Sequence, residues 1–252
     1  MSQQAPSFVL SCIATPKNNS AAKALVLNSS QAAKLQSALE EDARGAIYSG
    51  IVSIADAFSG IQRGYFSWAV VKLYYSCFYF SKAALARRGI GVFYVGRSPF
   101  LIEAQPGSSP TSQPGNSHTV VTALYKKRIV GGAMNSQPID GIHAFDWMTE
   151  KREAVNYKDI RFSDPVVPAC FATIDSLGIR RVVGDYLGDR TLYAYDAAHA
   201  IVALPLAALV DEFSSAMRFG GLGLSNVEVS QLRSFLADQK GPIHHFSFLS
   251  VK

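Results

Sequence analysis

The densest run of chemically capable side chains in the sequence is Lys151-Arg152-Glu153-Ala154-Val155-Asn156-Tyr157-Lys158-Asp159. It falls at the end of a helix expected over 142–157, whose apolar anchors are Phe145 and Met148. Residues four apart share a helix face, which pairs Arg152 with Asn156 and Glu153 with Tyr157. An arginine fork grips a phosphate or a carboxylate through two parallel hydrogen bonds, and the amide and phenol add neutral donors beside it. A purely structural role is open to the same residues. Arg152 could clamp a neighbouring carboxylate, and Tyr157 could lock the helix end.

The five histidines are His118, His143, His199, His244 and His245. Only His244 and His245 lie close in sequence, and adjacent side chains point apart on regular elements, so no metal site is expected. His199 sits on an apolar helical stripe and reads as a hydrogen-bonded core histidine before it reads as a catalyst. Tyr74, Tyr75, Phe78, Tyr79 and Phe80 could stack bases, but their helical spacing fits a core better. The basic clusters Arg87-Arg88, Lys126-Lys127-Arg128, Lys151-Arg152 and Arg180-Arg181 could make a phosphate-binding face. The first two also end helices, where cations complement the helix dipole.

The chain has no P-loop, no G-x-S-x-G elbow and no H-E-x-x-H. Gly220-Gly221-Leu222-Gly223 follows a helix rather than a strand, the place of a helix stop and not of a dinucleotide fingerprint. No cofactor is expected. Of the 252 residues, 48% are hydrophobic and only 17% charged, with a net charge of +5, which excludes a disordered chain and a polycationic one. Cys12, Cys77 and Cys170 are too few and too far apart for a disulfide framework or a zinc ribbon. The start of the chain lacks the pattern of a signal peptide. Lys72 and Lys82 interrupt the aromatic stretch 65–88, and the apolar stretch 197–210 is 14 residues long, short of the ~20 that span a bilayer. A cytoplasmic location is expected.

These residues must be positioned by helices. Leu35, Leu39, Ala43, Ile47, Ile51, Ile54 and Phe58 recur at spacings of three and four, predicting one long helix from about 30, capped by Ser29 or Ser30. A second helix over 65–88 is apolar nearly all round and belongs in the middle of a bundle. It is followed by two β-prone runs within 91–103 about Gly96-Arg97-Ser98-Pro99, a hairpin. A loop over 105–115, a helix from Asn116 or Ser117 to Arg128, and a loop over 130–140 come next. Helices near 169–187, 192–217 and 227–239 complete the expectation, with Pro205 inside the second of them. The fold class predicted is all-α, a helical bundle with a small hairpin insert and a short N-terminal arm that is either β or extended. The arm covers 1–29, the bundle 30–218, and a C-terminal helix and tail 219–252.

The stretch 65–89, with Tyr74-Tyr75, Phe78 and Lys82-Ala83-Ala84-Leu85, resembles the second helix of HEPN domains. Ser117-His118 opens the next helix, and Arg152 to Tyr157 lie on the one after, in the order such a domain would have. The resemblance covers about 30–215 and is nearest to the divergent prokaryotic, YaaC-like branch. It implies a bundle that commonly dimerises. Many members are metal-independent RNases of toxin–antitoxin and antiviral defence systems, and others are non-catalytic binding modules. The active ones carry an arginine with a histidine four to six residues on. Arg152 matches the arginine, but Tyr157 stands where the histidine would be. Moving a proton from a 2′-hydroxyl near neutral pH suits an imidazole, whereas a tyrosine with an ordinary pKa near 10 keeps its proton.

The expectation is therefore a binding or scaffold subunit that oligomerises or meets a protein partner, with RNA or a nucleotide as the ligand. Arg152, Asn156 and Tyr157 would line its pocket, joined by His118. Two alternatives stand beside it. One is a metal-independent ribonuclease in which His118 or His199 meets Arg152, or in which Arg152 works with Tyr157. The other is a purely structural assembly partner, which the thinly charged composition suits.

Overall fold

The computed structural model describes residues 3–15, 18–158, 161–218, 221–236 and 242–246. It is an all-α protein, 68% helical with twelve α-helices and two small sheets among the described residues. The helices are α1 Gln4–Cys12, α2 Asn19–Ala24, α3 Ser29–Gln62, α4 Phe66–Arg87, α5 Ser117–Arg128, α6 Ala133–Ser136 and α7 Ala144–Glu153, then α8 Ala172–Leu177, α9 Ile179–Gly188, α10 Arg190–Ala194, α11 Ala200–Arg218 and α12 Asn226–Leu236. The strands are β1 Ile90–Val95, β2 Ser98–Glu103, β3 Thr111–Ser112, β4 Pro138–Ile139 and β5 Ile142–His143.

Two compact units divide the chain. The first holds residues 1–46 and 81–129, the second 47–80 and 130–252, so each boundary falls inside or at the end of a helix. The N-terminal segment, expected as an extended or β arm, is helical in α1 and belongs to the first unit. Asp42 accepts the backbone N–H groups of Gln4 and Ala5 at 2.7 and 2.9 Å, satisfying donors that the first turn of α1 would otherwise leave open. That contact lies 37 and 38 residues away in sequence, out of reach of any local pattern.

The long helix α3 forms as its periodicity predicts, with Leu35, Leu39, Ile47, Ile51 and Ile54 all buried. Its cap is Asn28 rather than Ser29 or Ser30. Asn28 Oδ1 accepts from Gln31 N at 2.8 Å and Gln31 Oε1 accepts from Asn28 N at 3.0 Å, a reciprocal capping box. Helix α4 ends at Gly89, whose φ of +73° is the left-handed exit that glycine allows.

In the first unit the predicted hairpin is β1–β2, antiparallel with Phe93 opposite Phe100 and their rings stacked at 5.6 Å. Thr111–Ser112, within the expected loop, adds a third strand to it. Asn116 caps α5 by accepting from Thr119 N at 3.1 Å.

In the second unit Phe58, Leu73, Phe80, Met148, Ile201, Leu204 and Leu206 are all buried. The helix expected over 169–187 is broken at Gly178 (φ +81°) into α8 and α9. The one expected over 192–217 divides into α10 and α11, with Pro205 inside α11. Over Ala200–Met217, α11 is long and apolar enough to cross a membrane by length and composition, a longer window than the 14 residues counted from sequence, and 67% of it is buried inside the fold. The helix expected over 227–239 is α12, and residues 237–239 lie outside the described residues, as do 219 and 220 at the glycine-rich stop.

Candidate anion-binding site

The site is built at the end of α7, in the second unit. A two-residue β hairpin, β4–β5, delivers the chain to His143. The imidazole Nδ1 of His143 accepts from Phe145 N at 3.2 Å and caps the helix, so its Nε2 carries the proton and donates to Asn135 Oδ1 at 2.9 Å. From this fixed start α7 turns Ala144, Phe145, Trp147 and Met148 into the core, the last three 2% exposed or less. Phe145 and Met148 are the two anchors that the sequence singled out.

One face of α7 meets α4. The Tyr74 ring stands edge-on to Phe145 with centroids 5.9 Å apart, and its hydroxyl shares a hydrogen bond with Thr149. Thr149 Oγ1 also donates to Phe145 O at 2.9 Å. Burial pushes the Tyr74 pKa up to about 12 against the opposing pull of the Arg152 charge.

Arg152 lies over this floor. Its guanidinium carbon is 4.6 Å from the centre of the Tyr74 ring, a cation–π contact, and its side chain is 11% exposed. Nη2 donates to Glu153 Oε1 at 3.0 Å, while Glu153 itself is 44% exposed. The Nε–H of Arg152 is buried with no hydrogen-bond partner. Leaving such a donor unmade costs about 1–3 kcal/mol. The arginine is therefore braced from below by a ring and from the side by a carboxylate, with one donor still to satisfy.

Beyond Glu153 the backbone widens into a π turn, Ala154–Lys158. Single π turns inside helices are rare and occur often at functional sites. Their i→i+5 bonding replaces the four-residue register on which Arg152 was paired with Asn156. Asn156 is half-buried on this turn. Tyr157 belongs to the same turn, and its side chain lies outside what the structure describes.

The two histidines offered by the sequence as partners of Arg152, His118 and His199, are not on α7. His118 is the second residue of α5 in the first unit. His199 is in the second unit, where its Nδ1 is 2.8 Å from the Tyr186 hydroxyl and its ring packs edge-on against Tyr186 and Tyr193. Burial raises the Tyr186 pKa, so the phenol keeps its proton beside the His199 ring. Arg152 contacts Tyr74 and Glu153, and His199 contacts Tyr186 and Tyr193. His245 gives Nε2 to Arg180 O at 2.9 Å. Among the described residues no three His, Cys, Asp or Glu side chains gather as metal ligands.

The sequence reading marked Arg152 but missed Tyr74 and Thr149, which complete its setting from 78 and three residues away. Tyr74 is the core aromatic that its helical spacing predicts, at 1% exposure. Of the other basic residues, Arg128 pairs with Glu103 at 2.7 Å and Lys151 covers the Trp147 ring at 4.8 Å. No protein-family model, no curated protein and no solved structure matches this chain.

Proposed function

We propose that the chain is a HEPN-like binding or scaffold subunit without nuclease activity, and that Arg152 receives an anionic group, the phosphate of a nucleotide or of RNA. Such a subunit would serve a prokaryotic defence or toxin–antitoxin type system as an oligomer or with a protein partner. The observation that supports this reading is the unpaired, buried Nε of Arg152 beside its Glu153 and Tyr74 braces. An oxygen of the ligand would accept from Nε and satisfy the donor that the protein leaves open. Binding is favoured over cleavage because Tyr74, the phenol on whose ring the guanidinium lies, holds its proton to about pH 12 and is no base at neutral pH.

The test is the purified protein with labelled single-stranded RNA, tRNA and a nucleoside triphosphate, with EDTA present, beside an Arg152→Ala variant. The expected outcome is binding without cleavage, weakened roughly tenfold or more in the variant, since a charge-assisted hydrogen bond contributes about 1.5–3 kcal/mol. Cleavage that survives EDTA and disappears in the variant would establish a metal-independent ribonuclease in place of this reading.

A further inference from the structure

A second polar concavity lies in the same unit, away from the residues that surround Arg152. It opens between α6 and the adjoining residues of α10 and α11, with a volume of about 360 Å³. Ser136, Asp189, Arg190, Tyr195 and Asp211 line it, and Gly131 and Gly188 contribute no side chains to its wall. The volume falls at the lower end of the range for small-molecule pockets.

Two of these groups hold the backbone of one residue, Ala133. Asp211 Oδ2 accepts from Ala133 N at 2.7 Å, and the Tyr195 hydroxyl donates to Ala133 O at 2.6 Å. That leaves Asp211 Oδ1 and the Arg190 guanidinium. Nη1 of Arg190 is 3.7 Å from this oxygen, close enough for an ion pair and too far for a hydrogen bond. The pair attracts, yet neither member satisfies the other. Both side chains open to the concavity, 43% and 39% exposed, and partial burial pushes the Asp211 carboxyl up against the Ala133 N–H and the Arg190 charge. Asp189 spends one oxygen on Leu192 N at 3.0 Å.

Asp189 and Asp211 line the concavity with Arg190, and two carboxylates to one guanidinium disfavour a phosphate. An acceptor with two oxygens in a plane suits the arginine fork, and a cationic donor suits Asp211. We propose that this cavity binds a free α-amino acid, with its carboxylate on Arg190 and its ammonium on Asp211. An α-amino acid carries the two opposite charges on groups bonded to one carbon, matching a side-chain pair whose own charges stand side by side. The site is independent of Arg152 and carries no chemical step.

Calorimetric titration and thermal shift of the full-length protein with each proteinogenic amino acid in turn tests it. At least one should bind saturably and raise the melting temperature, as any ligand selective for the folded state does. The N-acetyl derivative of that amino acid, which lacks the ammonium, and its carboxamide, which lacks the carboxylate, should each bind roughly ten- to a hundredfold more weakly. Arg190→Gln should lose affinity by a similar factor. Asp211→Asn keeps an acceptor for Ala133 N, so it should lose the ligand without losing the fold. Arg152→Ala should bind the amino acid undiminished, which keeps the two sites apart. The proposal is overturned if no amino acid binds, if the blocked derivatives bind as well as the parent, if Arg190→Gln binds unchanged, or if inorganic phosphate or a monosaccharide binds in preference.

Discussion

An arginine buried beside an aromatic ring holds its charge because the ring face, the neighbouring carboxylate and the remaining water together replace its hydration. At Arg152 the replacement is incomplete by one donor. Tyr74 supports it twice, by its ring face and by anchoring that ring through Thr149. Tyr74→Phe separates the two. It keeps the stacked ring and removes the hydrogen bond, and it should cost about 1 kcal/mol in denaturant unfolding while leaving ligand affinity at Arg152 nearly unchanged. The same residue carries a pH dependence. An unfolded tyrosine ionises near 10, whereas folded Tyr74 keeps its proton to about 12. The folded chain therefore binds the extra proton in that interval, and the contribution of Tyr74 to stability is intact below pH 10 and is lost as the pH rises toward 12. Absorbance titration of the phenols should show a late-ionising tyrosine that Tyr74→Phe removes.

At the scale of elements, helix α3 offers two tests. Asn28→Ala removes half of the capping box and should cost about 1 kcal/mol by thermal or denaturant unfolding. Gly50, in the same helix, is a close-approach glycine. A Cβ there would stand 2.7 Å from Phe80 Cζ and closer still to Cε1. Helix propensity alone would favour alanine by about 1 kcal/mol, so a measured net loss of about 1–3 kcal/mol for Gly50→Ala would report the collision with Phe80.

Much of this architecture was legible in the sequence. The spacing of Leu35 to Phe58 carries α3, the β-prone runs about Gly96 carry the hairpin, and Asn116 marks the start of α5. What escaped depends on distant partners. Phe8 to Ile13 looks extended because its polar neighbours give no cap, but Asp42 supplies one from another helix. Trp68 is 52% exposed on a helix that reads as apolar all round, with Phe162 edge-on to it at 5.6 Å. At the candidate site the sequence offered Arg152 and its anchors, while the ring beneath it, the π turn and the open donor are products of packing. The Arg190–Asp211 cavity carried no signal at all, since its members are ordinary charged residues brought together by the turn between α10 and α11.

At the scale of the whole molecule, the two units are interleaved along the chain. Residues 130–252 make up most of the second unit, but 47–80 supply it with Tyr74, Leu73 and Phe80. A fragment of residues 130–252 lacks those side chains and leaves Phe145 and Arg152 without the ring they pack on. Expressed alone, it should show poorly dispersed amide resonances and no cooperative thermal transition, whereas the full chain should unfold with a sharp one. A fragment that folds cooperatively by itself would refute the interleaving.

That interleaving sets a timetable for synthesis. The first unit has all its residues once 129 has left the ribosome, and by then 47–80 is also out, carrying a string of apolar side chains whose packing partners have yet to be translated. The remaining 123 residues take ~6–25 s at ~5–20 residues per second. For that interval the nascent chain presents a half-built core to the cell, a surface suited to a chaperone and equally to a neighbouring nascent chain on the same message.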